Sequence, residues 1–367
     1  MFAENRKISL RQLQILLLLD TFGTAVLFLP AELTRLGGRG CWLLALAGGL
    51  FFVVFSFLLA KVGCKMPEGT VVDWCRFCFG EGIAAVILIG LAGKLLFDGV
   101  LELRILSEII CRAMLPNTPV WVISLLILAV AGSLAAQGTE CRGRAAEILF
   151  FVVAVPLVIV LIAVAISAEY GRVLPLELPA LSEFGTGISV MSVVFQGLVF
   201  LYFIFPDLRK PALTKGAVVE SGLVTTILIT VIVFLCLTVY GEGVLAEKLL
   251  PALQMMERVS FTGVFLTRQD VLLLWFWMAA VCVYLSGVLF YGSLLGVHFR
   301  RQAEEKRKPW LWRWLAALFF LSFLPDNLSA AYQWRLSFAP WGNLLYLVLL
   351  PVALLLMATW KGGKGNA

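Results

Sequence analysis

Charge is the scarcest property of this chain: only 14% of its 367 residues are Asp, Glu, Lys or Arg, against about 25% in an ordinary soluble domain. Histidine occurs once, at His298, beside Arg300 and Arg301. That leaves no partners for a Ser-His-Asp triad or a His-rich metal site. Outside the apolar blocks there is no basic stripe with interleaved aromatics, which excludes nucleic acid as a partner. The eight cysteines are scattered through apolar runs and define no disulfide framework. Cys75 and Cys78 form a lone CxxC with no second pair, too little for a zinc site. GGKGN at 362–366 lacks Walker spacing and a following helix. No enzyme, cofactor or metal is indicated.

What the chain has in abundance is apolar length. Sixty-one per cent of it is hydrophobic, its mean hydropathy is +0.97, and its apolar residues come in blocks of about twenty, the length a bilayer core demands. Ten spans are predicted, at 8–30, 41–60, 82–113, 119–136, 147–168, 187–206, 217–240, 263–299, 310–324 and 341–360. The ninth would reach only about 22 Å. It relies on Trp310, Trp312, Arg313 and Trp314 as interfacial anchors. Residues 67–80 (PEGTVVDWCRFCFG) read as an inner interfacial helix, and 244–260 as its counterpart in an outer loop.

The first span has basic residues before it, like a signal peptide, but it is too long for an h-region and no small-x-small site follows. It is kept as a span. If the N-terminus is inside and all ten spans cross, 19 Lys and Arg residues lie on the inner side and 8 on the outer, with Lys94 and Arg104 inside the third span. This bias predicts that both termini are cytoplasmic, with residues 361–367 as a tail.

A period of about 180 residues maps span 1 onto span 6 and the long span 3 onto the long span 8. With five spans in each half, 8–168 and 187–360 have opposite topology within one domain covering 1–367. The expected fold is therefore an all-α integral membrane protein with a 5+5 inverted repeat. FGTAVLFLP (22–30) and FQGLVFLYFIFP (195–206) each carry a mid-span glycine followed by aromatics and a proline. A helix unwound at Gly23 and Gly197 frees backbone groups that survive at bilayer depth only against a cavity or a ligand.

A half-helix N-terminus attracts an anion. A ligand carboxylate is accordingly assigned to the amides of Gly23, Thr24 and Ala25. The freed carbonyls around Phe195, Gln196 and Gly197, with the hydroxyls of Thr21 or Ser192, would hold an ammonium. The combination describes a free amino acid, whose side chain would meet Phe97 or Tyr284. Asp20, just before the break, is the best acid for ligand or cation contact. Glu220 and Asp270 are expected to pair with basic residues in adjacent loops.

Span 3 carries Lys94, Asp98, Glu102, Arg104 and Glu108. Steps of four place Lys94, Asp98 and Glu102 along one stripe. Charges in hydrocarbon are expected in pairs; two positives against three acids leave one acid uncompensated within the span. Lys94, Asp98 and Glu102 are thus read as an intramembrane charge network, structural or functional.

KISLRQLQILLLLDTFGTAVLFLP (7–30), ECRGRAAEILFF (140–151) and ERVSFTGVFLTRQDVLLLWFWM (257–278) resemble the B-subunit family of bacterial spore germinant receptors, a branch of the amino acid/polyamine/organocation transporter superfamily. The Glu257-Arg258 and Arg268-x-Asp270 pattern is the most specific part. The resemblance implies a LeuT-like fold in the spore inner membrane, with discontinuous spans 1 and 6, acting with an A subunit and a C lipoprotein subunit to sense amino-acid-type nutrients. The alternative is an autonomous amino-acid or polyamine transporter. In some relatives a basic residue in span 5 stands in for a sodium ion; none lies in 147–168.

Overall fold

The computed structural model describes residues 7–65, 69–257, 269–301 and 306–364. They form helices and connecting turns, with no strand among them beyond a single bridge between Ile8 and Leu208. In chain order the helices are α1 (Leu10–Thr21), α2 (Ala25–Gly37), α3 (Cys41–Lys65), α4 (Val71–Phe79), α5 (Glu81–Ala113), α6 (Val120–Gln137), α7 (Thr139–Ser167) and α8 (Leu181–Ser192). A 3₁₀ stretch, Val194–Phe200, leads into the short α9 (Leu201–Ile204). Then follow α10 (Thr214–Glu247), α11 (Pro251–Glu257), α12 (Gln269–Phe299), α13 (Arg307–Leu321), α14 (Leu328–Asn343) and α15 (Leu350–Lys364).

Local chemistry sets several of these ends. Ser9 Oγ accepts from the Gln12 amide while Gln12 Oε1 accepts from the Ser9 amide, a reciprocal cap that starts α1. Asn327 caps α14 by accepting from the Ala330 amide at 2.9 Å. Pro340 lies inside α14, and the turn that follows it, Leu344–Leu349, widens to π geometry before α15.

Seven helical stretches among the described residues are long and apolar enough to cross a membrane, or eight if α8 and the 55°-bent segment after it count as one. In the seven, α2 and α3 run together as Ala25–Lys65. At 15 residues, α13 falls short of a full span, as its sequence did. α12 is the central rod: nearly every residue from Trp277 to Leu295 is buried, against α1, α5, α6, α7 and α13. α7 is the reverse case. Ile148, Phe151, Val155, Ile159, Ile162 and Ile166 are exposed along it, an apolar exterior that suits lipid rather than water. The chain is an integral membrane protein.

Two boundaries differ from the sequence reading, and both matter. The fifth span does not begin at 147: α7 starts at Thr139, behind Gly138 with φ 92°, and so takes in Arg142 and Arg144. Arg335, assigned to an outer connection, lies inside α14 and is buried. Removing these three arginines takes two charges from the inner tally and one from the outer. The Glu257-Arg258 and Arg268-x-Asp270 pattern and the start of the expected eighth span fall on or beside residues 258–268, outside the described residues.

Small residues let the helices meet. A Cβ at Gly49 of α3 would run into the side chain of Thr226 on α10, whereas one at Gly93 of α5 would meet nothing within 4 Å. Gly49→Leu is expected to destabilise the fold by about 1–3 kcal/mol through overpacking, and Gly93→Leu by almost nothing. Heating the detergent-purified variants and measuring the monodisperse fraction left on size exclusion checks both.

Candidate functional site

The site grows out of three residues that are not helical. α1 ends at Thr21, whose hydroxyl turns back to the carbonyl of Leu17 at 2.8 Å. α2 begins at Ala25, with Val26 and Leu27 bonding back to the carbonyls of Gly23 and Thr24. Between them the amides of Gly23 and Thr24 have no main-chain partner, and side chains add bonds to this turn. The Thr24 amide donates to Glu102 Oε1 at 2.7 Å. The Gly23 carbonyl accepts from the Trp277 indole of α12 at 3.0 Å.

Glu102, fully buried on α5, is the hub of this cluster. Its Oε2 lies 2.5 Å from Arg335 Nη2 of α14 and accepts from Gln196 Nε2 at 3.2 Å. Arg335 Nη1 also donates to Thr24 Oγ1 at 2.8 Å. The acid that the third span leaves uncompensated is therefore balanced from another helix. Its cation comes from α14, in the stretch between the expected spans 310–324 and 341–360.

One turn earlier on α1, Asp20 receives Arg142 of α7 through both carboxylate oxygens, at 2.5 and 2.6 Å. Arg142 Nε donates to the Val283 carbonyl and to Ser286 Oγ on α12, each at 3.1 Å. Its guanidinium lies over the rings of Phe200 and Tyr291. Three helices and the 3₁₀ stretch thus converge on one buried cation. The expectation that span 5 holds no basic residue is corrected: the helix begins eight residues earlier than its apolar block, and its arginine occupies Asp20.

The other candidates divide by location. Gln196 and Gly197 lie at the centre; a Cβ on Gly197 would collide with the backbone carbonyl of Asp20, so the 3₁₀ stretch and α1 touch main chain to main chain there. Tyr284 is buried against Phe200, 5.4 Å between ring centres. Ala25 heads α2. Phe195 stacks on Phe52 of α3, and Thr21 Oγ1 meets Thr225 Oγ1 of α10 at 3.2 Å. Ser192, at the end of α8, takes two bonds from Asn343 Nδ2, to its carbonyl and its hydroxyl. Phe97 is only half-buried and packs edge-on against the exposed Phe338. Lys94 pairs with Asp98 one turn along α5, and Arg104 with Glu108 at 2.8 Å. Glu220, expected to pair with a loop cation, instead accepts from Gln14 of α1. Cys75 and Cys78 are buried on α4, and burial pushes the Cys75 thiol up to about 12.

Sequence reasoning missed Arg335, Arg142, Trp277 and Asn343. A signal existed for Arg335, since an odd acid in a span requires a cation from elsewhere. For Trp277, one aromatic among many in an apolar run, there was none.

A family model described as "Spore germination protein" matches residues 7–331. Among curated relatives, spore germination protein YndE of Bacillus subtilis is 24% identical over 366 residues, covering 98% of this chain and 99% of the relative. Spore germination protein B2 of the same organism is 24% identical over 334 residues, 89% of each chain. Among solved structures, the crystal structure of MhsT in complex with L-phenylalanine superposes with a TM-score of 0.64 at 15% identity, covering 94% of this chain and 97% of that one. The likeness is one of fold, and it bears out the LeuT-like architecture expected from the sequence.

Removing one partner of a buried ion pair strands the other charge, at about 3–5 kcal/mol. Asp20→Ala and Arg142→Ala should each lower stability by that order, while the double variant recovers part of the loss. Thermal inactivation of the three detergent-purified variants measures it; additive losses would mean that the two residues act independently.

Proposed function

The chain belongs to the spore germination protein family, and from that premise we propose that it is the nutrient-sensing membrane subunit of a germinant receptor, binding a small amino-acid-type zwitterion where α1 and α2 come apart. One observation carries this reading: the non-helical turn Phe22–Thr24 lies against the 3₁₀ stretch Val194–Phe200 in a buried cluster of Glu102, Arg335, Gln196 and Thr24. Freed main-chain groups amid buried polar side chains are what recognition of a small polar ligand requires inside an apolar bundle.

In this reading α1–α2 and α8–α9 are two discontinuous spans, related by an inverted repeat, in a ten-span bundle with both termini cytoplasmic. A ligand carboxylate meets the amides of Gly23, Thr24 and Ala25. An ammonium meets the carbonyls around Phe195, Gln196 and Gly197. Tyr284 bounds the side-chain end; Phe97, turned towards Phe338, contributes less. Asp20 acts through Arg142 rather than on the ligand, and Thr21 and Ser192 fix the ends of α1 and α8. Binding stabilises one arrangement of the bundle and biases the A and C subunits, which are the expected partners.

A second reading, an autonomous amino-acid or polyamine transporter, is favoured by Arg142. It is a basic residue in the fifth span tied to α1 and α12, the place where some superfamily relatives put a cation in lieu of sodium. Purified protein in liposomes would then accumulate labelled substrate, whereas binding without uptake supports the receptor.

A thermal-shift screen of the twenty amino acids on the purified chain should identify at least one stabilising compound. Gly23→Leu, which forces a side chain against Glu102, and Gly197→Leu, which drives one into the Asp20 carbonyl, should each abolish that shift in protein that still inserts into the membrane. An undiminished shift in both variants would put the pocket elsewhere.

A further inference from the structure

The Thr24 amide is the donor a ligand carboxylate would meet at the head of α2, and it already holds Glu102 Oε1 at 2.7 Å. A Cβ on Gly23 would stand 2.8 Å from that same oxygen. The space opened by the absent side chain is thus filled by the protein's own carboxylate. The other oxygen of Glu102 is held by Arg335 Nη2 and Gln196 Nε2. An internal anion therefore makes the bonds that a ligand's anionic end would make.

Around it the buried hydrogen-bonding capacity is not used up. Arg335 Nε, Gln196 Oε1 and the Tyr284 hydroxyl are all buried without a hydrogen-bond partner. A buried polar atom left so calls for a partner that the surrounding side chains do not supply. Arg335 is donor-only and Gln196 Oε1 acceptor-only, so the unused groups offer one donor, one acceptor and one hydroxyl beside a seat that is already taken.

We propose that Glu102 is a tethered competitor for the carboxylate of the ligand. It satisfies the Thr24 amide while no ligand is bound, and yields that amide when a carboxylate-bearing ligand arrives, keeping its tie to Arg335. The apparent affinity then reflects an exchange of one carboxylate for another. The Glu102–Arg335 pair, which joins α5 to α14, carries the occupancy of the α1–α2 turn to both helices. This rests on the reading of that turn as the ligand site.

The test compares the affinity of each of the twenty amino acids with that of its carboxamide, by calorimetry on purified wild type, Glu102→Gln and Glu102→Asp. A carboxamide cannot replace the Glu102 anion, so the two series separate competition from general contact. Glu102→Gln should tighten the binding acids about tenfold, a typical step for one charge-assisted contact, and leave their amides unchanged. Glu102→Asp, shorter by one methylene, should give a smaller gain in the same direction. Acids bound no more tightly by either variant would overturn the competitor role. A loss of acids and amides together would overturn it too, making Glu102 a direct anchor for the ammonium. Wild-type binding that survives Gly23→Leu would instead overturn the location of the site, and the absence of binding in all three proteins would overturn both.

Discussion

The contact between the Glu102 carboxylate and the Thr24 amide governs the middle of this bundle. A peptide group left unpaired in hydrocarbon costs several kcal/mol, and so does an unpaired carboxylate. Placed against each other, the two defects cancel, and Arg335 and Gln196 complete the shell. Gly23 is what allows the approach, because any larger residue would put a carbon atom against the incoming oxygen. The interruption of the first helix and the charge in the third are thus one device made from two distant parts of the chain.

The same accounting runs through the remaining intramembrane charges. Lys94 and Asp98 neutralise each other along α5; Arg104, Glu108 and Arg112 form a ladder at its far end. Asp20 and Arg142 tie α1 to α7. Buried pairs add little net stability against well-packed apolar residues of similar size. Their effect is positional: each pair that crosses between helices fixes the rotation and depth of two rods whose lipid-facing surfaces are otherwise uniform and slippery.

Much of this was legible in the sequence. Apolar block length gave the membrane class, and the resemblance of 7–30, 140–151 and 257–278 gave the family. The glycines at 23 and 197 pointed to places where the helices lose their regular bonds, and the charge count of the third span showed that one of its acids, without saying which, lacked a partner in its own helix. Hydropathy could not find the partners. It trims a span where polar residues begin, which is why Arg142, on the first turn of α7, and Arg335, among the mixed residues of α14, were read as loop charges. Trp277 and Asn343 were hidden for a different reason: a bond from a side chain to a remote main-chain carbonyl, to Gly23 in one case and Ser192 in the other, leaves no local pattern. Phe97 shows the limit of counting along a helix. Its neighbour Asp98 is buried, but one residue back the side chain has already rotated towards Phe338.

The clamp on Asp20 is an arginine, and that choice has a consequence of its own. A guanidinium stays charged throughout the biological range of acidity, and a pair sealed from water is hardly touched by dissolved salt. Brine cannot pry it open, so α1, α7 and α12 stay fastened to one another at any ionic strength, and this corner of the molecule can serve as the pivot about which neighbouring helices turn.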